Sequence, residues 1–147
     1  AMGHSVSYII DIAYRRFLPR CDAVRIGAET LFIDGIAWNT VGSHPIAIAA
    51  RQLGIPYYVA TELIKIDPES IEGKQRAQKE DDFTPILDPE EDLKANGEVR
   101  MIAPELDRVP PELISGYVTP SGILLPAHIR SEALEFLGTF PRSVARQ

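Results

Sequence analysis

Cysteine is nearly absent: Cys21 stands alone in 147 residues, which excludes an internal disulfide framework and fits a reducing cytosol. The three histidines, His4, His44 and His128, have no metal-ligand spacing to Cys21 or to one another, so no metal is expected. No Gly-x-Gly-x-x-Gly and no Gly-x-x-x-x-Gly-Lys-Ser/Thr occurs, which argues against a nicotinamide dehydrogenase or a nucleotide triphosphatase; no cofactor is expected. No apolar run approaches a membrane span and no signal peptide is visible, so a cytoplasmic protein without membrane contact is expected. Basic residues are in deficit, 15 Lys and Arg against 21 Asp and Glu, and the net charge of -6 argues against direct contact with nucleic acid. Internal repeats and low-complexity tracts are also missing.

What remains is an ordinary globular composition, 45% hydrophobic and 24% charged, in a chain of one-domain length. Its centre of gravity is the stretch from Asp22 to Ala60, which reads as strand, loop, helix, strand. Val24, Ile26 and Ala28 alternate with Arg25 and Gly27, as a strand requires. Asp34-Gly35 is a turn signal. Ser43 is a candidate N-cap and Pro45 sits where a missing N–H does no harm. Ile46, Ala49, Ala50 and Leu53 recur at helical spacing, Gly54 ends the helix, and Pro56 prevents its continuation. Ile55 to Ala60 resumes as a buried strand. In such a βαβ unit the loop from a strand's carboxyl end into a helix N-terminus is where small anions bind, which singles out Glu29 to Ser43.

Around this unit the chain reads as follows. Ala1-Met-Gly-His-Ser looks in part like a cloning remnant, so residues 1–5 are set aside. Val6 to Ile10 is a short strand, and Asp11 caps a helix from Ile12 to about Leu18. Glu72 to Asp82 is a charged run without an apolar stripe, a solvated helix or arm. Pro89-Glu-Glu-Asp-Leu reads as a helix first turn, Asn96-Gly97 as a turn, and Glu98 to Ala103 as a strand. Pro110-Pro-Glu112 opens a helical turn, Gly116 to Thr119 is a strand, Pro120-Ser-Gly122 a turn, and Ala127 to Phe136 a helix with Ile129, Ala133, Leu134 and Phe136 on its apolar side. The domain is placed at residues 6–140, with 141–147 as a tail.

Two ordered blocks carry a resemblance. Ile26-Gly-Ala-Glu, Asp34-Gly, Asn39-Thr-Val-Gly-Ser, Ala47-Ile-Ala-Ala-Arg and Ile55-Pro-Tyr-Tyr-Val-Ala form the first; Val109-Pro-Pro-Glu-Leu-Ile-Ser-Gly-Tyr-Val-Thr-Pro-Ser-Gly-Ile-Leu-Leu-Pro is the second. Together they resemble the family shared by the alpha, beta and delta regulatory subunits of translation initiation factor 2B and the isomerases of methylthioribose-1-phosphate and ribose-1,5-bisphosphate. The resemblance implies an α/β, Rossmann-like, mostly parallel sheet flanked by helices, and a chain that begins midway through the family fold.

It also implies a site. The isomerases use a cysteine and an aspartate as acid and base, the aspartate being third in Gly-Ala-Asp. Here Glu29 holds that position, and an extra methylene displaces a carboxylate that must be placed for proton transfer. An equally weighted reading has Glu29 bonding backbone amides or pairing with Arg25. The family's cysteine falls outside the matched stretch, and Cys21 reads instead as a small, semi-buried apolar residue. Thr40 replaces a lysine expected near a substrate phosphate. Asn39, Gly42 and Ser43 remain as candidate ligand contacts, with Asn39 equally readable as a loop-stabilising amide. Lys65 matches another family lysine; an exposed strand-end lysine is its default. His44, beside a helix start, reads as a ligand contact or, more readily, as a solvent-facing residue of the first turn, and Trp38 as packing over the loop or at a subunit contact.

The expectation is therefore a noncatalytic regulatory or assembly domain that keeps a sugar-phosphate or nucleotide pocket, self-associates as a homodimer, and meets initiation factor 2-type subunits. The alternative is an aldose-ketose isomerase of a phosphorylated ribose, or a fragment of one.

Overall fold

The computed structural model describes residues 3–74, 80–82 and 102–138. In chain order they form α1 (Tyr14–Phe17), β1 (Val24–Ile26), β2 (Thr30–Leu31), β3 (Ala37–Thr40), α2 (Ser43–Gln52), β4 (Tyr57–Ala60), β5 (Glu80–Asp82), β6 (Ile102–Pro104), β7 (Leu106–Val109), β8 (Gly116–Thr119), β9 (Gly122–Leu124) and α3 (Ile129–Gly138). The central sheet runs β1-β4-β8-β9; β1, β4 and β8 are parallel, and β9 returns antiparallel from β8. A second, antiparallel sheet, β2-β3-β7, and a ribbon, β5-β6, complete the strands. The result is a mixed, largely parallel sheet flanked by helices, as expected from the βαβ pattern.

β4 shows why the middle of the sheet is apolar. Tyr57 and Val59 are buried, Tyr58 and Ala60 half-buried, because parallel strands are covered on both faces. One apolar cluster joins Leu31, Ala37 and Val109 of the second sheet to Tyr57, Val59 and Tyr117 of the first, with Ala47 and Ala50 of α2 and Ile129 and Ala133 of α3. The alanines of α2 let its backbone lie close against the sheet. Gly54, at φ +70°, ends that helix as its position predicts.

The connection from β1 to α2 is not a plain loop. It folds into the β2–β3 hairpin, whose turn carries Gly35 at φ +88°. The Tyr117 hydroxyl donates a hydrogen bond to the Gly35 carbonyl, fixing the hairpin tip to the central sheet.

Several expectations are corrected. Residues 3–10 form no strand; Val6, Tyr8 and Ile10 are exposed and nothing among the described residues pairs with them. The helix expected from Ile12 is a 3-10 turn at Asp11–Ala13, one α-helical turn, and another 3-10 turn at Leu18–Arg20, and no side chain caps it. The charged run from Glu72 to Asp82, expected as a solvated helix or arm, ends in a strand, Glu80–Asp82; residues 75–79 lie outside the described set. The helix opening at Pro89, the Asn96-Gly97 turn and residues 98–101 also lie outside it. Leu134 is exposed, and Leu137 packs on the core in its place. Cys21 is exposed, not semi-buried.

Gly35→Ala should destabilise the chain by roughly 1–3 kcal/mol, since φ is positive and the new Cβ meets Pro111 Cβ at 3.2 Å and the Tyr117 hydroxyl at 3.3 Å. A urea unfolding curve with an unshifted midpoint would contradict this.

Candidate functional site

The carboxyl end of β1 and the N-terminus of α2 meet at one mouth of the central sheet. Gly42 stands at the N-cap with φ +104°, so Ser43 is the first helical residue and does not act as the cap. Its hydroxyl faces backward, donating to the Thr40 carbonyl at 2.7 Å and accepting from Asn39 Nδ2 at 2.9 Å. The Ser43 carbonyl accepts from the buried Tyr57 hydroxyl at 3.0 Å. Asn39, Thr40 and Ser43 are thus drawn into one hydrogen-bonded knot, to which the Thr40 side chain contributes nothing, while Gly42 bonds elsewhere.

Two amide donors of that helix end are already engaged. Asp107, on β7, accepts from the Gly42 N–H at 2.8 Å and the His44 N–H at 3.1 Å, both on Oδ2. A carboxylate here satisfies donors that the helix cannot and meets the positive end of its dipole. The position expected to receive an anionic ligand therefore receives the chain's own anion. Asp107 was not singled out in the sequence, because β7 lies between Pro104 and Pro110 without a clear alternation and its pairing with β3 is a tertiary event. That pairing sets Asn39 opposite Asp107, which brings the carboxylate to the helix.

One step along, Asn39 Oδ1 lies 3.9 Å from where a Cβ on Gly27 would stand, and Lys65 Nζ donates to the Ala28 carbonyl at 2.6 Å. Lys65 is exposed but tethered, its ammonium set on the peptide that joins Ala28 to Glu29. Glu29 is exposed, and its backbone N–H bonds the Trp38 carbonyl at 2.8 Å. Among the described residues its carboxylate has neither the Arg25 partner nor the amide donors considered above. His44 is half-buried and engaged through its backbone. Trp38 is buried against Phe32 within the hairpin. No three His, Cys, Asp or Glu side chains among the described residues gather as a metal site.

Burial pushes the Tyr57 hydroxyl well above the ordinary tyrosine pKa, and the negative charge of Asp107 adds to it, while the Ser43 side-chain hydroxyl opposes. Tyr117 is raised in the same way, by burial first and then by Asp34. Both groups hold their protons more tightly folded than unfolded. The stability this represents is intact below the unfolded value, about 10, and is lost as pH rises beyond it.

Two outcomes are expected. Between neutral pH and about 10 these two tyrosines leave the denaturant midpoint unmoved; above that it falls, and their phenolate absorbance appears only as the fold opens. Phenolate from all five tyrosines within the native state would refute it. Asp107→Ala should cost about 2–3 kcal/mol in urea unfolding and Asp107→Asn less, because an amide oxygen still accepts. Inorganic phosphate should then raise the Tm of Asp107→Ala by more than it raises that of the unchanged chain.

The mouth just described can be set beside proteins of known name. The family model described as "Initiation factor 2 subunit family" matches residues 2–126. The ribose 1,5-bisphosphate isomerase of Archaeoglobus fulgidus is 34% identical over 124 residues, covering 84% of this chain and 39% of that protein. Among solved structures, 5-methylthioribose 1-phosphate isomerase from Pyrococcus horikoshii OT3 superposes with a TM-score of 0.71 at 26% identity, covering 92% of this chain and 38% of that one. Translation initiation factor eIF-2B from the same organism superposes at 0.64 with 27% identity, covering 80% of this chain and 38% of that one. The chain spans about two-fifths of the length of these relatives. With a family model covering most of its residues and a curated relative above 30% identity, the chain belongs to the initiation factor 2 subunit family.

Proposed function

We propose that this chain is a noncatalytic regulatory domain of its family, which holds a phosphorylated sugar at the mouth of the central sheet without converting it. The observation that carries the reading is Glu29, exposed and with no group among the described residues to orient its carboxylate. Aldose-ketose isomerisation moves a proton between neighbouring carbons, and a base that swings in water gives up the positioning on which such a transfer depends. Two further features support it. Thr40 stands where the resembled isomerases carry a lysine, and Asp107 takes the amide pair that would otherwise receive a phosphate. Lys65, fixed on the Ala28 carbonyl, is then the cation that meets the ligand, with Asn39 and Ser43 beside it and the Gly42 amide held back by Asp107.

Self-association as a homodimer, and contact with initiation factor 2-type subunits, belong to the same reading. Among the described residues β1 has one hydrogen-bonded neighbour, which leaves a sheet edge open, and the exposed side chains of Val6, Tyr8, Ile10 and Ile12 add apolar surface. Among the described residues no helix is long and apolar enough to cross a membrane.

A second reading, an aldose-ketose isomerase of a phosphorylated ribose, draws on the name of the 34%-identical relative. Calorimetric titration with ribose-1,5-bisphosphate and methylthioribose-1-phosphate, followed by NMR of the same samples, separates the two. Binding without ketose product is expected, weakened by Lys65→Ala and unchanged by Glu29→Gln; accumulating ketose establishes the second reading, and no heat with either sugar removes the ligand from the first. Sedimentation of the unliganded protein should give a dimer.

A further inference from the structure

We infer that the outer side of the β3–β7 pair holds one ordered water, bonded between the Trp38 indole and the Asp34 carboxylate under the Arg108 guanidinium, and that this water ties the hairpin tip to the sheet behind the candidate site. The starting point is an unmet donor. Trp38 is 4% exposed, and its Nε1–H has no acceptor among the described residues. Buried donors left unbonded are uncommon and destabilising, whereas an ordered water satisfies them at little cost.

The surroundings fit such a water in size and chemistry. Phe32, Asp34, Ile36, Trp38 and Arg108 line a small pocket, partly open to solvent, of about 10 Å³, about the room that the centre of one water needs. Asp34 Oδ1 accepts the Ile36 N–H at 3.0 Å, which leaves Oδ2 to accept from a water that itself accepts the indole proton. Arg108 Cζ lies 4.9 Å from the centre of the Trp38 ring, so its guanidinium stacks over the indole at the edge of the pocket. Phe32, 5.0 Å from that ring and tilted by 54°, makes one wall.

Register gives the water a consequence. Trp38 lies opposite Arg108 and Asn39 opposite Asp107. Successive side chains of a strand face opposite ways, so Trp38 and Arg108 share one face while Asn39 and Asp107 share the face toward α2. A bridge on the first face fixes β3 to the hairpin tip, and β3 is the strand whose pairing with β7 brings Asp107 to the helix on the second.

Because Trp38 is the single tryptophan, its indole proton gives one isolated NMR signal. The unaltered protein should show a cross-peak from that proton to water, with the sign of a long-lived bound molecule. In Asp34→Ala the cross-peak should vanish and the backbone amides of Trp38 and Arg108 exchange about fivefold faster or more. No water cross-peak in the unaltered protein overturns the inference, as does an indole proton at the position of a non-bonded N–H; a variant that keeps both the cross-peak and the slow exchange removes Asp34 and the tie.

Discussion

Asp107 carries a single carboxylate oxygen shared between two backbone amides, those of Gly42 and His44, and much of the molecule is arranged so that this can happen. The α2 N-terminus needs acceptors, since no turn of helix precedes it, and its residues offer none: Ser43 turns its hydroxyl back to Thr40. The acceptor comes from β7, more than sixty residues away in the chain. For it to arrive, β7 must lie against β3, β3 must be the returning strand of a hairpin, and that hairpin must be folded out of the segment between β1 and α2. A conventional βα loop would leave this helix end to a ligand. Here it is part of the fold.

Two buried tyrosines hold the ends of the same segment. Tyr57, on β4, bonds the Ser43 carbonyl at the start of α2, and Tyr117, on β8, bonds the Gly35 carbonyl at the hairpin tip. Each donates its hydroxyl to a backbone carbonyl that has a lone pair to spare, which gives the phenol a partner in an apolar cluster where an unpaired one would cost about 1–3 kcal/mol. The central sheet thereby positions the second sheet through side chains as well as through packing. Glu29 and Lys65 lie outside this clamped region, at the solvent edge, where electrostatics is screened and geometry is set by one bond to Ala28.

Elements governed by neighbours in sequence were legible, and those governed by distant partners were not. α2 could be read from its apolar spacing, Gly54 and Pro56; the strand from Gly116 to Thr119 from its run between a helical turn and a Pro-Ser-Gly turn. Ser43 was placed one residue from the true cap because Gly42, at positive φ, and Asp107 together do what a serine cap does locally. β7 escaped notice since its meaning lies in its register with β3, and the Leu106 to Val109 run is too short to show a period. Val6 to Ile10 has the composition of a strand, yet composition supplies no partner, and among the described residues none pairs with it.

Of the candidate site, the residues themselves came from the sequence: Glu29, Asn39, Thr40, Gly42, Ser43 and Lys65 fall at the mouth between β1 and α2 because strand-to-helix connections in parallel sheets converge there. Their relations came from tertiary structure. That Asn39 spends its amide on Ser43, that Lys65 is tethered to Ala28, and that the helix end is filled by Asp107 depend on hydrogen bonds between segments far apart in the chain. Local spacing determines which face of an element is apolar and where it stops. Which donor meets which acceptor is decided only when packing brings two remote stretches within about 3 Å, the range over which a hydrogen bond acts.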